Sequence, residues 1–263
     1  MQRVITPYYS LSQSVRDIFR FRSLIGFFIW RELKVRYKHT LLGVLWSVMQ
    51  PALLTAVLYT VWYNQSDTKE HYLQQLVWSI CLWTYISSSL NYAINSITSN
   101  EKIIKKNAFP RLVLPVSAIF VALFELFINC MAAFIFLSIY KHPFNPSFAL
   151  LDLQLPVLIC TILFSLGAGF WVSSLSAIYK DVRYALPFLI QLVFFVTPVF
   201  YEVSSDKVVW GQWVNINPLS GIFEAIKHNY SMPPLYSWMF SLMLCITGIV
   251  FFQRNEFKTN DLL

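Results

Sequence analysis

The chain has 263 residues, of which 57% are hydrophobic and only 13% are charged, and its formal net charge is +7. Because a soluble domain carries about 25% charged residues, this composition excludes an ordinary soluble protein and indicates an integral membrane protein with several spans. The basic residues lie beside apolar runs, so topology and anionic membrane lipid explain the positive charge, and nucleic acid is not expected as a partner.

Residues 1–40 are predicted to form a cytoplasmic N-terminal segment that ends in an amphipathic interface helix. From near Val15 to Lys38, apolar residues recur at three- and four-residue steps and arginines interrupt them. This pattern is typical of a helix that lies in the membrane interface. A short re-entrant segment over residues 24–30 is the alternative, because that stretch is too short to span a membrane.

A dense basic stretch closes this segment. Arg31, Lys34, Arg36 and Lys38 lie within eight positions, and Glu32 precedes Arg36 by four residues, the favourable order for a helical ion pair. Their plain interpretation is the positively charged flank of a first span. A functional interpretation is a site where an anionic group meets the membrane surface.

Residues 41–263 are predicted to form an all-α transmembrane domain of six spans. The predicted spans cover 41–63, 73–94, 112–140, 153–178, 185–201 and 235–252. Sixteen lysines and arginines fall on one side of this arrangement and four on the other. By the positive-inside rule, this asymmetry predicts that both termini are cytoplasmic.

Two connecting segments are unusual. In the cytoplasmic segment 98–111, Ser99 is predicted to cap a short charged helix from Glu101 to Lys106 that ends before Pro110. This helix is either a docking element or a solvated basic loop. The outer segment 202–234 is predicted to contain two short helices, over 208–213 and 219–226, that dip back into the outer leaflet.

Two sets of side chains inside the predicted spans are candidates for function. Glu125 lies in the third span, where a carboxylate is costly, so it is either functional or a structural hydrogen-bond acceptor within the bundle. Aromatic residues end the first span and run along the fifth, where they form either a membrane belt or a conduit on which sugar rings slide. The candidate channel-lining residues are Tyr59, Trp62, Phe194, Phe195 and Tyr201.

Motifs for catalysis and bound cofactors do not occur in the sequence. The four cysteines and four histidines follow no metal-ligand spacing. None of the seven glycines is followed by lysine, so a phosphate-binding GxxxxGK[ST] loop is absent. The sequence therefore predicts no catalytic residue, no metal site and no cofactor bound by this chain.

Four stretches carry a resemblance to a known family. They are RELKVRYKHTLLGVLWSVMQP (31–51), NEKIIKKNAFPRLVLPVSAI (100–119), YKDVRYALPFLIQLVFFVTPVFY (179–201) and INPLSGIFEAI (216–226). They resemble the permease subunits of polysaccharide-exporting ABC transporters, most closely the O-antigen export type, with capsule and teichoic-acid permeases as cousins.

The resemblance implies a non-enzymatic transport subunit in the bacterial inner membrane. Two copies of the permease pair, and two separate ATP-binding subunits dock beneath them and bind ATP and Mg. A lipid-linked polysaccharide passes between the copies, near the first and fifth spans. The coupling segment that receives the ATPase movement maps to Asn100, Glu101, Lys102, Lys105, Lys106 and Arg111, and the basic set Arg31, Lys34, Arg36 and Lys38 is the hypothetical site for the lipid pyrophosphate.

Three rival functions remain open at this point. A drug or small-lipid exporter would need lateral pockets rather than a continuous aromatic path. A membrane enzyme acting on lipid-linked sugars would need an acidic metal-binding motif or a catalytic base. An assembly subunit without transport is opposed only by the charged coupling segment.

Overall fold

The computed structural model of the protein describes residues 16, 18–38, 40, 43–63, 69–107, 109–139, 154–201, 217–227 and 232–262. Within these ranges every regular element is helical. The α-helices are α1 (Arg22–Tyr37), α2 (Leu45–Trp62), α3 (Lys69–Ser96), α4 (Glu101–Lys106), α5 (Val113–Ile139), α6 (Gln154–Ile178), α7 (Val182–Val196), α8 (Pro218–Lys227) and α9 (Leu235–Leu262). A 3₁₀ turn, Thr98–Asn100, leads into α4. Residues 1–15 of the predicted cytoplasmic segment and the outer helix expected at 208–213 lie outside the described residues.

Four of the described helices are long and apolar enough to cross a membrane: α2, α5, α6 and α9. They correspond to the predicted first, third, fourth and sixth spans. α3 has 28 residues but carries glutamine, serine and asparagine side chains along its length, and α7 has only 15 residues. Four spans therefore meet the requirements of length and apolarity, whereas a spanning role for α3 and α7 stays a prediction.

Two helix ends differ from the predicted spans for local backbone reasons. α2 begins at Leu45 rather than near 41, because Gly43 adopts a φ of 51° and breaks the helical path before it. α7 ends at Val196 rather than near 201, because Thr197 precedes Pro198 and is extended. A residue before proline is excluded from the helical region by the proline ring.

The core is organised around α3, which packs against α2, α5, α6, α7 and α8. Its side chains Ile80, Tyr85, Ile86 and Ile94 are almost fully buried. Small hydroxyl residues let the neighbouring helices approach, and the Ser176 hydroxyl of α6 donates to the Ile94 carbonyl at 2.6 Å. α3 is thus the central helix of the bundle, although its polar side chains make it less apolar than the four helices that meet the criterion for a membrane span.

α1 lies alongside the first half of α5. Ile25 and Phe28 are buried in a small apolar cluster with Leu112 of the segment before α5, and Tyr37 at the end of α1 reaches Glu125 in the middle of α5. α1 and the first half of α5 therefore run in the same direction.

The two sides of α1 differ from the single apolar stripe expected of an amphipathic helix. Phe27, Trp30 and Val35 are large, apolar and exposed, whereas Ile25 and Phe28 are buried. Apolar side chains thus lie both toward the bundle and away from it, which fits a helix packed on protein on one side and open to lipid on another.

The helices α6 and α9 approach each other closely at two glycines. A Cβ placed on Gly167 would lie 2.5 Å from the Cys245 backbone nitrogen, and one placed on Gly248 would lie 2.6 Å from the Gly167 carbonyl oxygen. Small residues at such crossings allow direct backbone contact between membrane helices.

Replacing Gly167 with alanine is expected to cost about 1–3 kcal/mol of stability, because the added methyl group meets backbone that cannot rotate away. Gly26→Ala is the matched control, since nothing lies within 4 Å of its Cβ position, and alanine is the better helix former. Thermal unfolding in detergent is the measurement. Equal unfolding temperatures for the two variants would contradict the close crossing.

Candidate functional site

The carboxylate of Glu125 is the centre of a polar cluster inside the bundle. Glu125 is only 6% exposed. The Tyr37 hydroxyl donates to its Oε1 and the Tyr92 hydroxyl donates to its Oε2, each at 2.7 Å. The Arg36 Nε lies 3.9 Å from Oε1. In the structure Glu125 accepts hydrogen bonds that join α1, α3 and α5, and a function beyond this structural role stays a prediction.

Arg36 and Tyr37 complete this cluster from the end of α1. The Arg36 guanidinium carbon lies 3.7 Å from the centroid of the Tyr92 ring, a cation–π contact. Burial, followed by the hydrogen bond to Glu125, raises the pKa of Tyr37. The Tyr37 hydroxyl therefore stays protonated and remains a hydrogen-bond donor to the carboxylate. We call Arg36, Tyr37, Tyr92 and Glu125 the Glu125 clamp.

A second polar contact links α1 to the turn before α4. The Arg31 guanidinium donates to Asn100 Oδ1, and the Asn100 amide donates to the Ser96 carbonyl at 2.8 Å. Glu32 lies 3.7 Å from Arg31 and 3.9 Å from Arg36. A cavity of about 120 Å³ lies beside these side chains.

The four basic residues Arg31, Lys34, Arg36 and Lys38 therefore have different surroundings. Arg31 and Arg36 are directed at partners within the chain, whereas Lys34 and Lys38 are exposed. The helical period separates Arg36 from Lys34 and Lys38, whereas Arg31 lies on the same side as these lysines and differs from them by its contact with Asn100.

The predicted short helix in the segment 98–111 is confirmed as α4, from Glu101 to Lys106. Lys105 Nζ lies 2.6 Å from Glu101 Oε1, and this hydrogen bond lowers the pKa of Glu101. Lys102 and Lys106 are exposed, whereas Ile104 is buried. One side of α4 thus packs on the bundle through Ile104, and the other side exposes charged side chains.

One detail of this segment differs from the prediction, and two of the residues predicted to take part in coupling are buried. The expected cap by Ser99 is wrong, because its hydroxyl donates back to the Asn95 carbonyl at 2.7 Å. Asn100 is buried against Ser96 and Arg31 rather than presented on the surface. Arg111 is also buried, and its guanidinium donates to the Glu256 carbonyl at 3.2 Å.

Arg111 therefore fastens the end of the segment to α9. Its backbone N–H donates to the Glu256 carboxylate at 3.4 Å. Burial lowers the pKa of Arg111, and the Glu256 charge opposes that shift. An arginine in this setting keeps its charge, so a charged guanidinium connects the segment to the last helix through the Glu256 carbonyl.

The predicted channel aromatics lie in one cluster at the far end of α2. Phe200 connects most of them, with ring centroids 5.3 Å from Trp62, 5.3 Å from Phe194, 6.2 Å from Phe195 and 5.1 Å from Tyr201. Tyr59 joins through Tyr72, whose ring is 6.1 Å away and whose hydroxyl donates to the Phe200 carbonyl at 2.9 Å. The cluster unites the end of α2, the start of α3 and the turn after α7.

Members of this aromatic cluster differ in exposure. Phe194 is 8% exposed and packs against Trp83 at 5.2 Å, whereas its neighbour Phe195 is 65% exposed. Adjacent residues on a helix point about 100° apart, so Phe194 belongs to the core of the chain and Phe195 to its surface.

The turn after α7 is held in place by α8. The Lys227 ammonium donates to the Pro198 and Tyr201 carbonyls, and the Asn217 amide donates to the Thr197 hydroxyl at 2.9 Å. α8 begins at Pro218, as its position in the sequence predicts. Its side chains Ile222 and Phe223 are fully buried against the bundle.

The exposed faces of the apolar helices are chemically different. On α5 and on α9 before Arg254, the large exposed side chains are phenylalanine, methionine, leucine, isoleucine and one tyrosine, as expected of contact with lipid. On α2 and α7 the exposed side chains are mostly apolar but include one amide on each helix, Gln50 and Gln191. An amide facing hydrocarbon is costly, so these two faces are suited to protein or water.

Three residues that make the contacts described above were not identified from the sequence. They are Tyr37 and Tyr92, which bind Glu125, and Lys227, which binds the turn after α7. Tyr37 and Glu125 are 88 positions apart, and Lys227 and Pro198 are 29 apart. The only available signal was the intramembrane carboxylate itself, because a buried acid demands donors from neighbouring helices.

Comparisons with known proteins agree with these features. A family model described as ABC-2 type transporter matches residues 23–231. An O-antigen export system permease protein RfbA of Klebsiella pneumoniae is 25% identical over 243 residues, which cover 89% of this chain and 92% of that protein. A protein of the same name from Myxococcus xanthus is 24% identical over 227 residues, covering 83% and 85% of the two chains.

Proposed function

The chain belongs to the ABC-2 type transporter family, and we propose that it is the permease subunit of an exporter that moves lipid-linked, O-antigen-like polysaccharide across the bacterial inner membrane. The observation that carries this proposal is the extent of the similarity to O-antigen export permeases. It covers 89% of this chain and 92% of the Klebsiella pneumoniae relative. Capsule and teichoic-acid glycans are the alternative cargo.

The proposed topology has six spans and two cytoplasmic termini. α3 and α7 supply the second and fifth spans, since each is enclosed by or attached to apolar helices in the bundle. α8 re-enters the membrane from the outer side, which its buried apolar side chains and its contact with the turn after α7 support. The polar α3 is tolerated because its neighbours bury it.

The proposed energy source is a pair of ATP-binding subunits that bind ATP and Mg. Their docking surface is the charged side of α4, with Glu101, Lys102, Lys105 and Lys106. Asn100 and Arg111 hold this surface in position through Arg31 and Glu256. In this proposal the chain forms the transport path, and ATP is hydrolysed by the partner subunits.

The proposed path runs between two copies of the chain, along α2 and α7. Gln50 and Gln191 would offer hydrogen bonds to sugar hydroxyls, and Phe195 and Tyr63 would offer apolar faces for the C–H side of the rings. Weak contacts repeated along a path allow a polymer to enter and leave. Lys34 and Lys38, which are exposed, would meet the lipid pyrophosphate at the membrane surface.

Co-expression tests this function directly. The chain and a candidate ATP-binding subunit from the same organism are introduced into cells that make lipid-linked O-antigen but lack their own permease. We expect surface polysaccharide only when both subunits are present, and none when the ATP-binding lysine of the partner is replaced. A chain that purifies without any ATP-binding subunit and leaves all glycan inside the cell would overturn the proposal.

A further inference from the structure

The Glu125 clamp lies at the joint between α1 and α2. Tyr37 is the last residue of α1, and the Thr40 hydroxyl donates to its carbonyl at 3.1 Å. The Ser47 hydroxyl in the first turn of α2 lies beside the Tyr37 hydroxyl. The clamp therefore holds the point from which α2 departs.

The position of α2 depends on this joint more than on its own packing. Only 11% of the most apolar 18-residue stretch of α2 is buried, whereas the corresponding shares are 39% in α5 and 44% in α6. A helix with few buried contacts is restrained mainly at its ends. At the far end, Tyr59 and Trp62 pack in the aromatic cluster, so the clamp supplies the restraint at the near end.

The clamp is also connected to the segment that carries α4. Arg31 binds Asn100 in the turn before α4, and Glu32 lies between Arg31 and Arg36 at 3.7 and 3.9 Å. A continuous polar line thus runs from Asn100 through three charged side chains of α1 to Glu125. Contiguous hydrogen bonds and ion pairs are a physical means by which a displacement at one place biases another.

A carboxylate is a poor choice if this site served packing alone. Burying an ionised group costs more than burying a leucine of similar size, unless its partners satisfy it. Here two tyrosine hydroxyls and one guanidinium converge on it from two different helices. The arrangement connects elements, which an apolar side chain cannot do with the same directionality.

We propose that the Glu125 clamp is a positioning device that fixes the start of α2 and transmits a displacement of the α4 segment to that helix. The inference rests on the proposed function, in which α4 meets the ATP-binding subunit and α2 borders the glycan path. Glu125, Tyr37 and Tyr92 are positioning residues, and none of them contacts the cargo.

The first experiment measures the position of α2 without any transport. Spin labels are placed at Val57 on α2 and Phe127 on α5, both exposed, in a chain whose four cysteines are replaced by alanine. An excess of unlabelled chain keeps the measured distances within one copy. We expect Tyr37→Phe to broaden or shift the α2–α5 distance distribution.

The matched control is Tyr85→Phe. Tyr85 is buried in α3, the helix that carries Tyr92, and its hydroxyl makes no hydrogen bond of normal geometry to the described residues. This variant removes a buried hydroxyl without touching the clamp, and we expect an unchanged distribution. Identical distributions for wild type, Tyr37→Phe and Tyr85→Phe would overturn the proposal.

The second experiment measures coupling in the complex with the ATP-binding subunit. We expect Tyr37→Phe and Tyr92→Phe to raise the ATP hydrolysed per glycan exported by about fivefold or more, with the amount of folded complex unchanged. Glu125→Gln keeps an acceptor for one tyrosine and is expected to give an intermediate value, whereas Glu125→Leu gives the largest.

The two experiments separate failure of this inference from failure of the proposed function. If wild-type complex neither binds an ATP-binding subunit nor exports glycan, the proposed function fails, and the distance measurement still decides whether the clamp positions α2. If wild type exports and the tyrosine variants keep its ratio of ATP to glycan, the positioning role is wrong.

Discussion

Reversing the three exposed lysines of α4 is expected to release the ATP-binding subunit and abolish ATP-driven transport, while the membrane fold stays intact. Lys102, Lys105 and Lys106 point away from the bundle, and the segment is anchored from below by the buried Ile104. Their replacement by glutamate therefore removes no packing. The change acts on the surface that a partner would contact.

The size of this effect follows from charge complementarity. Like charges brought together at an interface are strongly unfavourable, and about 1 kcal/mol for each reversed lysine adds to about 3 kcal/mol, or roughly a hundredfold loss of affinity. The cost within α4 is far smaller. Glu101 and a glutamate at 105 would repel at helical spacing by only about 0.2–0.5 kcal/mol.

Affinity of the purified chain for its ATP-binding subunit is the measurement, at two salt concentrations because screening weakens such contacts. Lys102→Glu alone has a matched control in Arg254→Glu, a single reversal at an exposed arginine of α9. We expect weakening for the first and little change for the second. Full binding by the triple variant would exclude α4 as the docking surface.

Local signals in the sequence account for the parts of the structure that were predicted well. α4 spans Glu101–Lys106 as expected, because a charged six-residue stretch is closed by the residues before Pro110. α8 begins at Pro218 because proline suits the first turn of a helix. In each case a proline within a few positions of a helix end signals that end in the sequence.

Contacts between distant residues account for what the sequence could not provide. Glu125 was recognisable as an unusual residue, but its donors come from positions 37 and 92. The helical period does separate Lys34 and Lys38 from Arg36, so the division of the basic set was partly accessible. That Arg31 binds Asn100, and that Arg111 binds Glu256, depends on tertiary packing alone.

The aromatic residues predicted to line a channel lie together in the structure, but the sequence could not distinguish the buried members from the exposed ones. Phe194 and Phe195 are adjacent and chemically identical, yet one packs on Trp83 and the other is exposed. A mostly apolar helix such as α7 has too few polar residues to form a stripe by which to orient it. Gln191 is the informative position, because an exposed amide marks a side that is unsuited to lipid.

A cysteine at Gln191 is therefore expected to react with a charged, water-soluble maleimide, and the attached group is expected to block export. The proposed path along α2 and α7 admits water during transport, so both the reagent and the reactive thiolate form can exist there. Gln50→Cys on α2 is expected to behave in the same way. The background is a chain whose four native cysteines are replaced by alanine.

Phe127→Cys on α5 and Met243→Cys on α9 are the matched controls, because both side chains are exposed on faces whose other large exposed residues are almost entirely apolar. A thiol surrounded by lipid stays protonated and excludes a charged reagent, so a difference in labelling rate of about tenfold or more is expected between the two pairs. Labelling is measured in membranes during ATP hydrolysis and compared with glycan export.

Equal rates at all four positions would remove the distinction between the two kinds of face, and with it the argument that α2 and α7 border the path. Labelling confined to Gln50 and Gln191 without any loss of export would instead place water at these faces but the glycan elsewhere.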